Sequence, residues 1–175
     1  MIDDVLTLFI TFIDIILLRK GPEDIPRSSV LLVIVVSLWL AAGAAVIATI
    51  DVLGQTDFVV NLMTAAVAIL LYSSVLIFSN KSARLLQTLT AILGCGAVLQ
   101  IFFVGGHLIL GSLIDKNVAA LISYLILLWS VPVEGHIIAR ATDRYWYVGF
   151  LIAFSVFILQ IELSNFINPI EQLTP

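Results

Sequence analysis

The stretch "LLRKGPEDIPRSSVLL", residues 17–32, decides the fold. It places five of the chain's twenty charged residues (Arg19, Lys20, Glu23, Asp24 and Arg27) within nine positions, with apolar sequence on both sides. A charged corner with two prolines between two greasy segments is what a chain needs where it leaves one membrane-embedded helix and turns into the next. Gly21 can close the first helix in a left-handed conformation, and Pro22 cannot continue it. Pro26 stops another helical turn, and Ser28 or Ser29 can cap the following helix.

The composition agrees with a bilayer environment. Of the 175 residues, 61% are hydrophobic and 11% charged, with a mean hydropathy of +1.16. Water-soluble domains carry about 25% charged and about 45–50% apolar residues. This chain lacks the polar surface to cover a water-facing globule. Its single cysteine, Cys95, lies in an apolar run and excludes an internal disulfide. The start "MIDDVLTLF" is acidic where a secretory signal is basic, so the N-terminus is expected to be retained.

Five apolar runs follow the corner, each near or above the roughly 17–25 residues that a spanning helix needs. They cover residues 29–50, 58–78, 85–114, 118–139 and 145–167. The third is overlong and must tilt, bend or protrude; Gly105, Gly106 and Gly111 offer a place to bend. The expected fold is all-α: a polytopic transmembrane helix bundle of five spans (29–167), preceded by an N-terminal helix (1–20) and the elbow (21–28), and followed by a short external tail (168–175).

Seven of the eight Lys and Arg residues fall on alternate connections: Arg19, Lys20 and Arg27; Lys81 and Arg84; Arg140 and Arg144. Only Lys116, beside Asp115, lies opposite. The positive-inside rule then places the elbow in the cytoplasm and the C-terminus outside. Tyr145, Trp146 and Tyr147 form an aromatic belt at the inner interface.

In residues 1–20, Asp3, Thr7, Thr11 and Asp14 recur at helical spacing and form one polar stripe on an apolar cylinder. The apolar stretches between them are short for a span. The segment reads as an amphipathic helix in the cytoplasmic interface or packed beneath the spans; a sixth span is the alternative. Aspartates in place of Lys or Arg turn the stripe toward protein or water rather than anionic lipid. The elbow itself reads either as a topological anchor or as a docking motif, Arg19, Lys20, Glu23, Asp24 and Arg27, for a cytosolic protein or a neighbouring subunit.

The layout resembles the YIP-domain family of polytopic membrane proteins. The local likeness is carried by "ILLRKGPEDIP" and by the polar-starting third span "ARLLQTLTAILGCG". The resemblance implies five close-packed spans and, from eukaryotic members, an association with small GTPases and vesicle transport. Those members carry a longer soluble N-terminal region; this chain is more similar to compact bacterial relatives, which implies the bacterial inner membrane. The resemblance transfers no functional residues.

Zinc-site, nucleophile-elbow and phosphate-loop motifs are missing from the sequence, and no cofactor is expected. Ionisable residues inside the spans are functional candidates by default. Glu134 follows Pro132, which frees the carbonyl of Leu128. Its expected partner is a base: Arg84, Arg140 or Arg144; a proton relay or a partner-binding site are the alternatives. Glu134 and His136 are about 200° apart around a helix, whereas His136 shares a face with Arg140. Glu162 lies about 24 Å beyond Trp146, and His107 about 35 Å past Arg84, so both reach the outer level. Glu162 is expected to snorkel outward, with a contact to His107 geometrically open. Gln100 and Gln160 read as interhelical hydrogen bonds. The small-residue runs at 41–48, 64–68 and 94–97 support close packing, or a homo-oligomer.

Three function classes follow: a non-enzymatic membrane scaffold or complex subunit acting through its cytoplasmic face, a small transporter or channel using Glu134, Glu162 or His107, and an intramembrane enzyme acting on a lipid. The expected partners are the bilayer and another membrane or cytosolic protein, with no nucleic acid.

Overall fold

The computed structural model describes residues 2–49 and 55–167, and the side chains of residues 2–5, 55, 110–112, 116, 117 and 120 stand outside that description. The tail 168–175, Ile50, and the side chains of Asp3 and Lys116 therefore lie outside the described residues.

The chain is an all-α bundle of multi-pass membrane type. Among the described residues seven helices follow one another: α1 (Ile2–Ile16), α2 (Ser29–Thr49), α3 (Gln55–Phe78), α4 (Leu85–Leu113), α5 (Lys116–Leu128), α6 (Ser130–Thr142) and α7 (Trp146–Ile167). Single 3-10 turns at Pro22–Asp24 and Ser82–Arg84 precede α2 and α4. Five segments are long and apolar enough to cross a membrane, α5 and α6 together forming one of them. At 15 residues, α1 is about 22 Å long and too short to cross about 30 Å of hydrocarbon.

α4 is the hub: α2, α5, α6, α1 and the elbow all pack on it. Its 29 residues run unbroken through Gly105 and Gly106, so the overlong span accommodates its length without a break in the helix. The break comes in the fourth span instead, at Trp129. Pro132 has no N–H to offer the carbonyl of Leu128, and it occupies the third position of α6, where a missing donor costs least.

α6 and α7 form a tight antiparallel pair across the turn at Asp143–Tyr145. A Cβ on Gly149 would stand 2.1 Å from the carbonyl oxygen of Gly135, and a Cβ on Gly135 would stand 2.7 Å from the Cα of Phe150. The two backbones touch there, so glycine is required by space. Gly94 plays a similar part on α4: its absent side chain is the seat of the Phe12 ring from α1.

The main core joins Phe12, Ile15 and Ile16 of α1 and Ile25 of the elbow to Leu93, Cys95 and Leu99 of α4 and to Val133 and Ile137 of α6. α1 is thus built into the bundle, while Leu6, Phe9, Ile10 and Leu17 leave its outward side exposed and apolar. The polar stripe is divided: Thr11 is buried and donates to the Thr7 carbonyl, and Asp14 pairs with Lys20 at 2.9 Å.

Three helices, α1, α3 and α6, end in the same way. Leu18, Asn80 and Asp143 take left-handed φ values of 60°, 56° and 54°, and the next N–H reaches back to the carbonyls of Asp14, Leu76 and Ala139. These are Schellman closures built on non-glycine residues. Gly21, expected to close α1, is instead extended (φ −119°), because Leu18 has already reversed the chain three residues earlier. Ser28 caps α2 by accepting the N–H of Leu31 at 3.2 Å, as expected.

Candidate functional site

Two constellations are formed by the residues singled out above. The first is the elbow, held from two sides. Gln87 of α4 donates to the carbonyls of Ile25 (2.6 Å) and Glu23 (3.4 Å) and accepts from Arg27 Nε (2.9 Å). From α6, His136 Nε2 donates to the Lys20 carbonyl at 3.0 Å, and Arg140 forms an ion pair with Glu23. A carbonyl only accepts, which fixes the ring proton of His136 on Nε2. Asp24 accepts the N–H of Gly21 at 3.0 Å, so it braces its own turn. The indole N–H of Trp129 reaches the Ile16 carbonyl at 3.0 Å, meeting one of the carbonyls that α1 leaves open at its end. Pro22 and Ile25 are fully buried. Of the five elbow charges, only the Arg19 side chain makes no hydrogen bond or ion pair among the described residues, and it is exposed.

Beside the elbow, Asp143 accepts from Lys81 Nζ (2.6 Å) and Arg84 Nη1 (2.8 Å), and Arg84 also donates to the carbonyls of Arg140 and Ala141. A cation on the last carbonyls of α6 meets the negative end of the helix dipole. The hydrogen bonds from Lys81 and Arg84 hold the Asp143 carboxyl well below its ordinary range, at about 2.

The second constellation is a cleft within the spans. A cavity of about 600 Å³ lies between α3, α4, α5 and the start of α6, with Trp39 of α2 and Phe157 and Gln160 of α7 completing its walls. It exists because the bundle divides. α5 packs on α4, and α3 on α7, while among the described residues neither α3 nor α7 packs closely on α5. Leu121, Tyr124, Leu125 and Leu128 of α5 line the cavity yet are exposed, which makes α5 the rim of a lateral opening.

The cleft is apolar with polar groups at two levels. Near the basic end, the hydroxyl of Tyr72 (α3) donates to Glu134 (α6) at 2.5 Å. Glu134 precedes Arg140 by six residues, about 9 Å of helix, so this pair sits well inside the span. Farther along stand Asn61, Gln100 and Gln160. Gln160 donates to the Thr64 carbonyl at 3.4 Å, an interhelical bond as expected. Gln100 departs from that expectation: its Oε1 is buried with no hydrogen-bond partner among the described residues.

Glu134 also departs from the sequence expectation. Arg84 and Arg140 are committed to Asp143 and Glu23, and no ion pair reaches Glu134 among the described residues. Its partner is Tyr72, whose only sequence signal was a tyrosine inside the second apolar run. At the other end, Glu162 is exposed, and His107 stacks on Phe103 of its own helix (6.2 Å). No hydrogen bond or ion pair joins Glu162 to His107 among the described residues. Among the described residues, no group of three His, Cys, Asp or Glu side chains is placed to hold a metal ion.

Comparison of this chain with protein-family models, with curated proteins and with solved structures finds no match in any of the three.

Proposed function

We propose that this chain is a non-enzymatic integral membrane protein that takes a lipophilic small molecule from the bilayer into the cleft beside α5, with the elbow and the basic end in the cytoplasm. The observation that supports it is the laterally open cavity of about 600 Å³. Small-molecule sites occupy about 300–1,000 Å³ and combine apolar walls with a few convergent polar groups. An opening on the α5 side admits a ligand that is already dissolved in hydrocarbon. The charge distribution along the connections supports the orientation, and the YIP-like layout supports a bacterial inner membrane.

The test is native mass spectrometry of the protein drawn gently from its own membrane, beside Ala65→Phe, which fills the cleft from α3. The expected result is a small-molecule adduct on the parent that the variant lacks. Bare chains in both samples overturn this reading.

The scaffold reading comes second. It is favoured by Arg19, which stays exposed and uncommitted while its four charged neighbours are used inside the fold. The same spectra separate the two, because a docked protein adds kilodaltons and is lost when Arg19 is replaced by Gln.

A further inference from the structure

The polar end of the cleft specifies the kind of ligand. Glu134 lines the cavity and accepts one hydrogen bond, at Oε2 from Tyr72. Its Oε1 makes none among the described residues. Of the bases on or expected to reach this helix, Arg84 is occupied by Asp143, Arg140 by Glu23 and His136 by the Lys20 carbonyl, and no ion pair joins Arg144 to Glu134 among the described residues. A carboxylate inside a membrane bundle is costly unless a cation or hydrogen-bond donors compensate it. Among the described residues, the protein supplies one hydroxyl and no cation.

The remaining walls point the same way. The cavity lining contains no Lys, Arg or His, but it does contain Trp39, Tyr72, Tyr124 and Phe157. Aromatic faces attract cations through their quadrupole, most strongly where water is excluded, and cages of them recognise quaternary ammonium groups. Two unmet atoms of the cleft, Glu134 Oε1 and the buried Gln100 Oε1, are acceptors. An anionic amphipath would bring a second negative charge to Glu134, whereas a cation supplies the charge that keeps its carboxyl ionised inside the bundle.

We propose that the cleft binds a lipophilic cation, an ammonium or phosphonium on an apolar body, with its charge at Glu134 and its body against the aromatic walls and α5. This rests on the ligand-binding reading above.

The experiment measures equilibrium binding to the full chain in zwitterionic nanodiscs, with empty discs subtracted. Three probes of one shape are compared: tetraphenylphosphonium, tetraphenylborate and uncharged tetraphenylsilane. Saturable binding of the phosphonium is expected, with the other two at least about tenfold weaker. Glu134→Gln keeps an acceptor for Tyr72 and should weaken phosphonium binding by about tenfold or more, leaving the silane unchanged. Tyr124→Leu, at the exposed rim, should weaken phosphonium binding by about threefold. If the silane or the borate binds as well as the phosphonium, the cation assignment is overturned while the binding reading stands. If no probe binds, both fall. If Glu134→Gln does not fold, an unchanged phosphonium affinity in Tyr124→Leu overturns the assignment.

Discussion

Tyr72 and Glu134, 62 residues apart in sequence, meet at 2.5 Å where α3 crosses α6, and each is the other's side-chain hydrogen-bond partner. Tyr72 is buried, so its hydroxyl has no water to fall back on. Tyr72→Phe should cost about 1–3 kcal/mol. Combined with Glu134→Leu, the two losses should fall short of their sum by about 0.5–3 kcal/mol, as for residues in direct contact. Reversible unfolding in mixed micelles, followed by circular dichroism, measures all four corners of the cycle. Strict additivity would dissolve the pair.

Glycine is required in one place and optional in another. At Gly149 an added methyl meets the backbone of Gly135, so Gly149→Ala should destabilise by about 1–3 kcal/mol through overpacking. At Gly105 nothing stands within 4 Å of the same methyl, and Gly105→Ala should gain up to about 1 kcal/mol from helix propensity. Thermal unfolding of the two variants should shift in opposite directions.

Gln87 is the centre of the elbow clamp, serving two carbonyls and Arg27 at once. Gln87→Leu removes all three bonds and leaves the carbonyl of Ile25 buried and unpaired, a loss of about 1–3 kcal/mol. The elbow carries three tryptic sites, Arg19, Lys20 and Arg27. Faster trypsin cleavage at these sites, with the spans still protected, is the expected signature; cleavage at the parental rate would mean that Gln87 does not hold the corner.

The carboxyl of Asp143 carries its charge down to about pH 2, held by the hydrogen bonds from Lys81 and Arg84. A carboxyl whose value is lowered on folding contributes stability above its ordinary value, near 4, and that contribution fades as pH falls toward 2. Asp143→Asn keeps a residue tolerant of the left-handed turn and removes the titration. Its melting temperature should lie below the parent's at neutral pH, and the two curves should converge between pH 4 and pH 2. A constant gap across that range would assign the difference to something other than this proton.

Much of this architecture could be read from the chain. Hydropathy and length located the spans, because the bilayer demands about twenty apolar residues whatever their neighbours are. α4 runs Leu85–Leu113 against an expected 85–114, and α7 runs Trp146–Ile167 against 145–167. Pro132 marked the disturbed fourth span, since a missing N–H is a local fact. What escaped were relations between helices. Tyr72 opposite Glu134, Gly135 against Gly149 and Gln87 beneath Ile25 depend on rotation and depth, which hydropathy does not encode. Leu18 was missed for a different reason: a left-handed leucine costs about 1–2 kcal/mol and is accepted only because surrounding packing compensates. Glu134 was recognised from its position, but its partner was sought among the charges, and the cleft that gives it meaning belongs to no single segment.

The elbow's contacts also impose an order on assembly. α1 and the corner precede all five spans in the chain, yet the groups that receive them come far later: Gln87 is 60 residues beyond Arg27, Trp129 is 113 beyond Ile16, and Arg140 is 117 beyond Glu23. The third span brings Gln87 to the turn, but until the fourth has been inserted the Ile16 carbonyl and Glu23 lack their partners, Trp129 and Arg140. The N-terminal helix is thus made before the spans and fastened only after four of them, a clasp that closes once its receivers are in place.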